Sequence, residues 1–348
     1  MKQHRPSGLF NTNYQQELCV IRTRFQWIMF CLFLAFIFVM PHLLPLPAVD
    51  FFIRTLIIVI AVIGLNFITG YCGQLSLGHA AFAAVGAFAG ALFFDKGVPY
   101  LVSLLLAGII AGIAGVIFAV PASRFRGLYT AFTTLAAHFI IWFMLVHYFR
   151  GEVGIPVGVA SVGGIDFDSE FRFYYLVITA VIILTYAAKN IARSKTGRAF
   201  VAVRDHDIAA DIIGINIFNT KLLAFSIGCF YAGISGFLWV SYLGWASIEQ
   251  FTLWQAIWYL GIIIVGGAGT IVGSIFGVFF IRGVEEAAHV VAPLLDHLIP
   301  YIGGTAIGAL PVIIFSIVVI LFIIFEPRGL VHRWNILKTS ARIFPFNY

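Results

Sequence analysis

Apolar runs of about 20 residues recur along nearly the whole of this chain, and each is long enough as a helix to cross a hydrocarbon layer roughly 30 Å thick. Hydrophobic residues make up 61% of the 348 positions and Asp, Glu, Lys and Arg together only 10%, which leaves too few charges to cover a water-facing surface. A soluble fold is excluded. In lipid each segment must satisfy its own backbone, so an all-α polytopic integral membrane protein is expected.

Candidate spans are Trp27 to Leu46, Phe51 to Thr69, His79 to Phe94, Tyr100 to Val120, Leu128 to Phe149, Phe173 to Ala188, Leu222 to Leu243, Thr252 to Val265, Ile271 to Ile281 and Ile302 to Phe325. That predicts about ten membrane segments, some of them too short for an upright helix and therefore broken or re-entrant. Residues 1–26 are expected to form a cytoplasmic N-terminal segment, 27–325 the transmembrane domain and 326–348 a cytoplasmic tail. The polar and basic N-terminal segment leads into the apolar run Trp27 to Met40, after which Pro41, His42, Pro45 and Pro47 come in place of a small-residue cleavage site, so this run reads as a retained anchor.

With the N-terminus placed inside, every basic residue except Arg54, Lys96, Arg150, Arg172 and Arg282 falls on the cytoplasmic side. That asymmetry predicts an N-in, C-in orientation. The basic residues are scattered through short loops rather than gathered on one surface, which argues against nucleic acid as a partner despite the net charge of +6. Cys19, Cys31, Cys72 and Cys229 form no C-x-x-C pair, so neither a disulfide framework nor a metal site is expected.

The proposed spans are almost free of ionisable groups, with His79 and His138 among the few, and none of them contains a carboxylate. Ion-coupled carriers need a buried carboxylate or its equivalent, so the driving force is expected to come from outside the chain. No G-x-x-x-x-G-K-[ST] loop is present, so the chain is not expected to bind or hydrolyse ATP itself, nor to need a cofactor.

Two segments carry a mechanism. Gly70 to His79 is a polar, glycine-rich interruption between apolar runs, tolerable at membrane depth only where buried in protein or lining a wet cavity. With Asn66 just before it, its Gly73, Gln74, Ser76, Gly78 and His79 are the candidate residues of a translocation pathway. The alternative is a tight connection with His79 satisfied by a neighbouring carbonyl. Gly86-x-x-x-Gly90, Gly108-x-x-x-Gly112, Gly269-x-x-x-Gly273-x-x-x-Gly277 and Gly304-x-x-x-Gly308 flatten helix faces for close packing.

The other segment is the basic stretch 189–221. Within it Asp205 is expected to cap a short helix, Asp207 to favour its macrodipole and Gly214 to stop it. Ile208 and Ile212 share one face with Ile213 at its border, which would hold an apolar knob in water beside the membrane. Such a knob fits a groove on a partner protein; the competing use is an interfacial helix on lipid headgroups.

Taken together, Gly64-Leu65-Asn66 with Gly70 to Phe82, Arg126-Gly127-Leu128-Tyr129, Gly197-Arg198-Ala199 through Gly214-Ile215-Asn216, Lys221 to Phe225, Ala232 to Gly236, Gly266 to Thr270 and Pro327 to Leu330 resemble the permeases of branched-chain amino-acid ABC importers, specifically the longer of their two paired membrane subunits. The resemblance spans roughly Ala61 to Leu330. It implies a bacterial inner-membrane complex of two homologous permeases, two cytoplasmic ATPases that bind ATP and Mg, and a periplasmic binding protein that delivers the solute. It also implies that 189–221 is a coupling loop, in which Arg204, Asp205, Asp207, Ile208, Ala209, Ala210, Asp211, Ile212 and Gly214 engage an ATPase. Ala209-Ala210-x-x-x-Gly214 matches the small-residue part of the family's E-A-A-x-x-x-G motif, with Ile208 in place of the acid.

The family's Thr-Gly-Gly-Ser-Asp-Gly-like stretch is replaced here by Arg150 to Pro156, which leaves urea or short amides as alternative cargo. An ion-coupled carrier or channel is the rival of a different class. An intramembrane enzyme would need a nucleophile with a base, and none stands out.

Overall fold

The computed structural model describes residues 24–125, 127–148, 154–298 and 304–343. Its helices are α1 (Arg24–Leu43), α2 (Leu46–Asn66, prolonged by a π-helical turn, Phe67–Tyr71), α3 (His79–Asp95), α4 (Tyr100–Ala122), α5 (Leu128–Tyr148), α6 (Glu170–Arg193), α7 (Lys195–Asp205), α8 (Asp207–Ile212), α9 (Ile217–Leu243), α10 (Leu253–Gly266), α11 (Ile271–Leu298), α12 (Gly304–Phe325) and α13 (Leu330–Ile343). Four two-residue strands lie between them: β1 (Ile155–Pro156) pairs antiparallel with β4 (Trp245–Ala246), and β2 (Ser161–Val162) with β3 (Ile165–Asp166). The protein is an all-α polytopic membrane protein.

Among the described residues six segments are long and apolar enough to cross a membrane: Leu46–Tyr71, Tyr100–Ala122, Leu128–Tyr148, Glu170–Arg193, Ile217–Leu243 and Ile248–Gly266. A seventh candidate is the pair Leu310–Phe325 and Leu330–Ser340, bent by 51°. The count of about ten drawn from hydropathy also took in shorter, broken or re-entrant segments. Trp27–Leu43 and His79–Asp95 are shorter apolar helices. The expected short span Ile271 to Ile281 instead continues unbroken to Leu298 as α11.

That continuation changes the census of charge. Arg282 and Glu285 pair at 3.0 Å within α11, where Trp258 donates its indole N–H to the same carboxylate. The α2 helix likewise carries Asp50 and Arg54, paired at 2.8 Å. The spans are thus not free of carboxylates, as the apolar runs suggested; each of these two is neutralised by an arginine one turn away on its own helix.

Helix α2 is the axis of the bundle, buried from Leu56 to Asn66 without interruption. It is hydrophobic on every side, which suits a helix surrounded by others rather than by lipid. Helix α9 packs along α4, α3 and α2, while α6 and α11 close the rest of α2. Exposed large side chains cover the outward faces of α4, α5 and α12, for example Ile113, Phe139 and Ile320.

Small residues make these approaches possible. A methyl group added to Gly86 would collide with the backbone of Gly233, and one on Gly236 with the carbonyl of Ala83. Gly108 and Gly112 of α4 face Phe230 and Ser226 of α9, while Gly273 and Gly277 of α11 abut Gly266 of α10. Without a hydrophobic force between helices in lipid, this fit supplies the packing energy. The fourth spaced pair, Gly304 and Gly308, lies outside the residues whose side chains are described.

Two helix breaks meet at one end of α2. The Asn66 amide donates to the Thr270 carbonyl and to Ser274 Oγ, both at 2.8 Å, and its oxygen accepts the Gly269 N–H at 2.9 Å. One side chain thereby satisfies the open backbone between α10 and α11. A side chain at Gly70 would strike both Asn66 and Gly269, so glycine is what admits the contact.

Two stability outcomes follow. Gly86→Leu should lower stability by about 1–3 kcal/mol through overpacking, whereas Gly283→Leu, with open space around it, should be near neutral. Asn66→Ala should cost at least about 2 kcal/mol by stranding buried backbone groups. Thermal unfolding of the detergent-purified protein measures both, and equal stability of Gly86→Leu and Gly283→Leu would contradict the packing account.

Candidate functional site: the short exposed helix and the glycine-rich break

The segment from α7 to α8 is built by local caps. Ser194 accepts the Gly197 N–H to start α7, and His206 Nδ1 accepts the Ala209 N–H at 3.3 Å to start α8. Asp205, expected as the cap, is instead the last residue of α7 and pairs with Arg204 at 2.9 Å. The neutral imidazole can accept a hydrogen bond as a carboxylate does, and it sits in the extended conformation an N-cap needs.

Asp207 stands in the first turn of α8, as the macrodipole favours. The helix stops at Gly214, whose φ of +87° a side-chain-bearing residue adopts only under strain, while Ile215 N–H bonds the Ala210 carbonyl at 3.0 Å. The stretch between spans is narrower than 189–221, because Lys189 belongs to α6 and Lys221 to α9.

Burial divides α8 into two faces. Ala210 is 2% exposed and turned inward, while Ile208, Ile212 and Ile213 are 54%, 81% and 72% exposed. Ala209 and Asp211 share the outer side. The expected apolar knob is present.

The glycine-rich interruption lies directly behind this helix. After the π-helical turn, Gln74 N–H reaches back to the Ile68 carbonyl at 3.0 Å, and the chain runs without regular structure to Gly78, the N-cap of α3. Gly78 lies against the Thr134 carbonyl, where no side chain would fit. His79 Nε2 bonds the Ala61 carbonyl at 2.8 Å, so one ring nitrogen is held by a backbone group, the alternative that the sequence left open. Gln74 Oε1, Ser76 Oγ and His79 Nδ1 are buried with no hydrogen-bond partner among the described residues.

Only part of the two candidate sets comes together. Gly73 (φ +73°) and Gln74 line a cleft of about 390 Å³ with Arg204, Asp205, His206, Asp207 and Ile208, whereas Asn66, Ser76, Gly78 and His79 stay in the packed interior. The link between the sets is Arg204. Its Nη1 donates to the Gly70 carbonyl at 2.8 Å across 134 residues of sequence, and a side chain on Gly269 would collide with it.

Sequence reasoning placed Arg204 on the partner-facing side and missed this inward contact. It also missed Lys221, which is 7% exposed and lines the same cleft. The signal for both was a cation beside an apolar run, which has more than one explanation. Arg126, from the Arg126-Gly127-Leu128-Tyr129 motif, and Arg150, Gly151, Glu152 and Val153 lie outside the described residues, as do residues 1–23 with Cys19.

Comparison with known proteins agrees with this architecture. Residues 48–325 match the family described as "Branched-chain amino acid transport system / permease component". The high-affinity branched-chain amino acid transport system permease protein LivM of Salmonella typhimurium is 30% identical over 260 residues, covering 66% of this chain and 61% of that protein. LivM of Escherichia coli K12 matches to the same extent. The autoinducer 2 import system permease protein LsrC of an Enterobacter strain is 28% identical over 116 residues, 32% of this chain and 34% of that protein. The chain thus spans 61% of the length of the LivM relatives. No solved structure matches it. Because the family match begins in α2 and ends with the last residue of α12, taking in both breaks around Asn66 and the glycine contacts between helices, the chain belongs to the branched-chain amino acid transport permease family and is a multi-pass membrane protein.

Proposed function

We propose that this chain is the translocation subunit of an ATP-driven importer in a bacterial inner membrane, carrying branched-chain or other hydrophobic amino acids that a periplasmic binding protein delivers. The observation that carries the reading is α8, a capped helix with three exposed isoleucines. Apolar side chains held in water need a groove, and a cytoplasmic ATPase subunit is the partner that gives the groove a purpose. In this reading a second homologous permease completes the pathway, and two ATPases bind ATP and Mg.

Arg204 supplies the transmission. Closure of the ATPases displaces α8, and the Arg204 guanidinium carries the displacement to the Gly70 carbonyl beside Gly269, where two helix breaks adjoin. The breaks can shift because irregular backbone there is held by side chains, Asn66 foremost, rather than by a continuous helical ladder. Gln74 Oε1, Ser76 Oγ and His79 Nδ1, buried and unpartnered in this conformation, would gain partners in another. The pathway role of Asn66, Gly73, Gln74, Ser76, Gly78 and His79 is therefore to let the backbone move.

The half-buried Arg282–Glu285 pair favours the rival of an ion-coupled carrier, but its carboxylate is already bonded by Arg282 and Trp258, and such a carrier gives α8 no task.

Ile212→Glu should abolish co-purification of the ATPases while leaving membrane insertion intact. Normal co-purification would rule out the docking role. Gly214→Val should weaken the same assembly through about 1–2 kcal/mol of backbone strain at the end of α8. Arg204→Gln should keep the ATPases bound yet reduce ATP-driven leucine uptake about tenfold, a loss of coupling without loss of assembly. Uptake by the purified chain alone, driven by an ion gradient, would overturn the importer reading.

A further inference from the structure

At the far end of α2, some 20 residues and about 30 Å from Gly70, lies a cavity of about 670 Å³ that the docking helix does not touch. It is an open cleft lined by the first turns of α2 and α6, the last turn of α9 and the loop carrying β2 and β3. Its volume falls within the range of small-molecule sites. Leu46, Val157, Phe173 and Leu243 give it an apolar wall, and Asp50, Arg54, Glu170 and Tyr242 a polar one.

The polar wall is partly engaged and partly open. Asp50 accepts from Arg54 Nε at 2.8 Å and from the Tyr242 hydroxyl, and Asp168 pairs with Arg172 at 3.2 Å. Two kinds of group remain. Glu170 Oε2 is buried with no hydrogen-bond partner among the described residues, and Arg54, whose guanidinium lies 5.8 Å from the centre of the Tyr242 ring, lines the same cleft. A buried carboxylate oxygen with no partner is costly unless a cation visits it, and a guanidinium fork is shaped for a carboxylate.

We infer that this cavity receives a free amino acid as a zwitterion, its ammonium on Glu170, its carboxylate on Arg54 and its apolar side chain against Leu46, Val157 and Phe173. The inference rests on the importer reading for its cargo and deepens it with a reception site on the side opposite α8. A roomy site with one fixed partner for each charge holds its ligand loosely, which suits cargo that must move on.

The test uses the complete transporter in right-side-out membrane vesicles. Val159, which lines the cavity and is 56% exposed, is changed to cysteine in a background carrying Cys19→Ser and Cys31→Ser, and is labelled with an impermeant maleimide. Leucine should slow labelling severalfold, while 4-methylpentanoate, lacking the ammonium, and 3-methylbutylamine, lacking the carboxylate, should not. Glu170→Gln should label at the parent rate and lose leucine protection; Glu170→Asp should retain part of it.

Labelling unchanged by leucine, or slowed equally by 4-methylpentanoate, would overturn the assignment. So would labelling indifferent to leucine but faster in vesicles lacking ethanolamine lipid, which would give the cavity to a lipid headgroup. Because ATPase attachment is read separately through Ile212→Glu, the cavity and the importer reading can fail independently.

Discussion

The architecture hangs on the Asn66 amide. Among packed helices an open backbone group has no water to turn to, and the chain opens its backbone twice side by side, after Tyr71 and again between Gly266 and Ile271. Asn66 bonds Gly269, Thr270 and Ser274 at once, so the second break becomes tolerable because the first stands beside it. The glycines at 70 and 269 are consequences of that closeness, since any side chain would push the two segments apart.

From this point the structure extends in two directions. Toward the cytoplasmic end of the proposed topology, Arg204 joins the breaks to α7, and α8 follows after the single linking residue His206. Toward the other end α2 runs as a buried rod to the Asp50, Arg54 and Tyr242 cluster, where the larger cavity opens.

The charged residues show where reading by hydropathy failed. An 11-residue apolar run, Ile271 to Ile281, looked like a complete element because Arg282 follows it, yet the helix continues for another four turns or more. A charge ends an apolar run in sequence but not a helix in space when a partner one turn further on neutralises it. Glu285 does that for Arg282, and the same holds for Asp50 and Arg54. For α8 the error was smaller and local: two acidic residues flank His206, and only the backbone geometry shows that the imidazole holds the cap.

The sequence by itself determined the membrane, the helical class, the family's motifs and the exposed isoleucine knob, because hydropathy, helical periodicity and a stop glycine act over a few residues. Only the tertiary structure decided that Asn66 closes a break 203 residues away, that Arg204 ties α7 to Gly70, and that Glu170 and Arg54 line one cleft. Hydrogen bonds of that reach depend on where the packed helices bring the chain together, and small residues allow the packing without naming the partner.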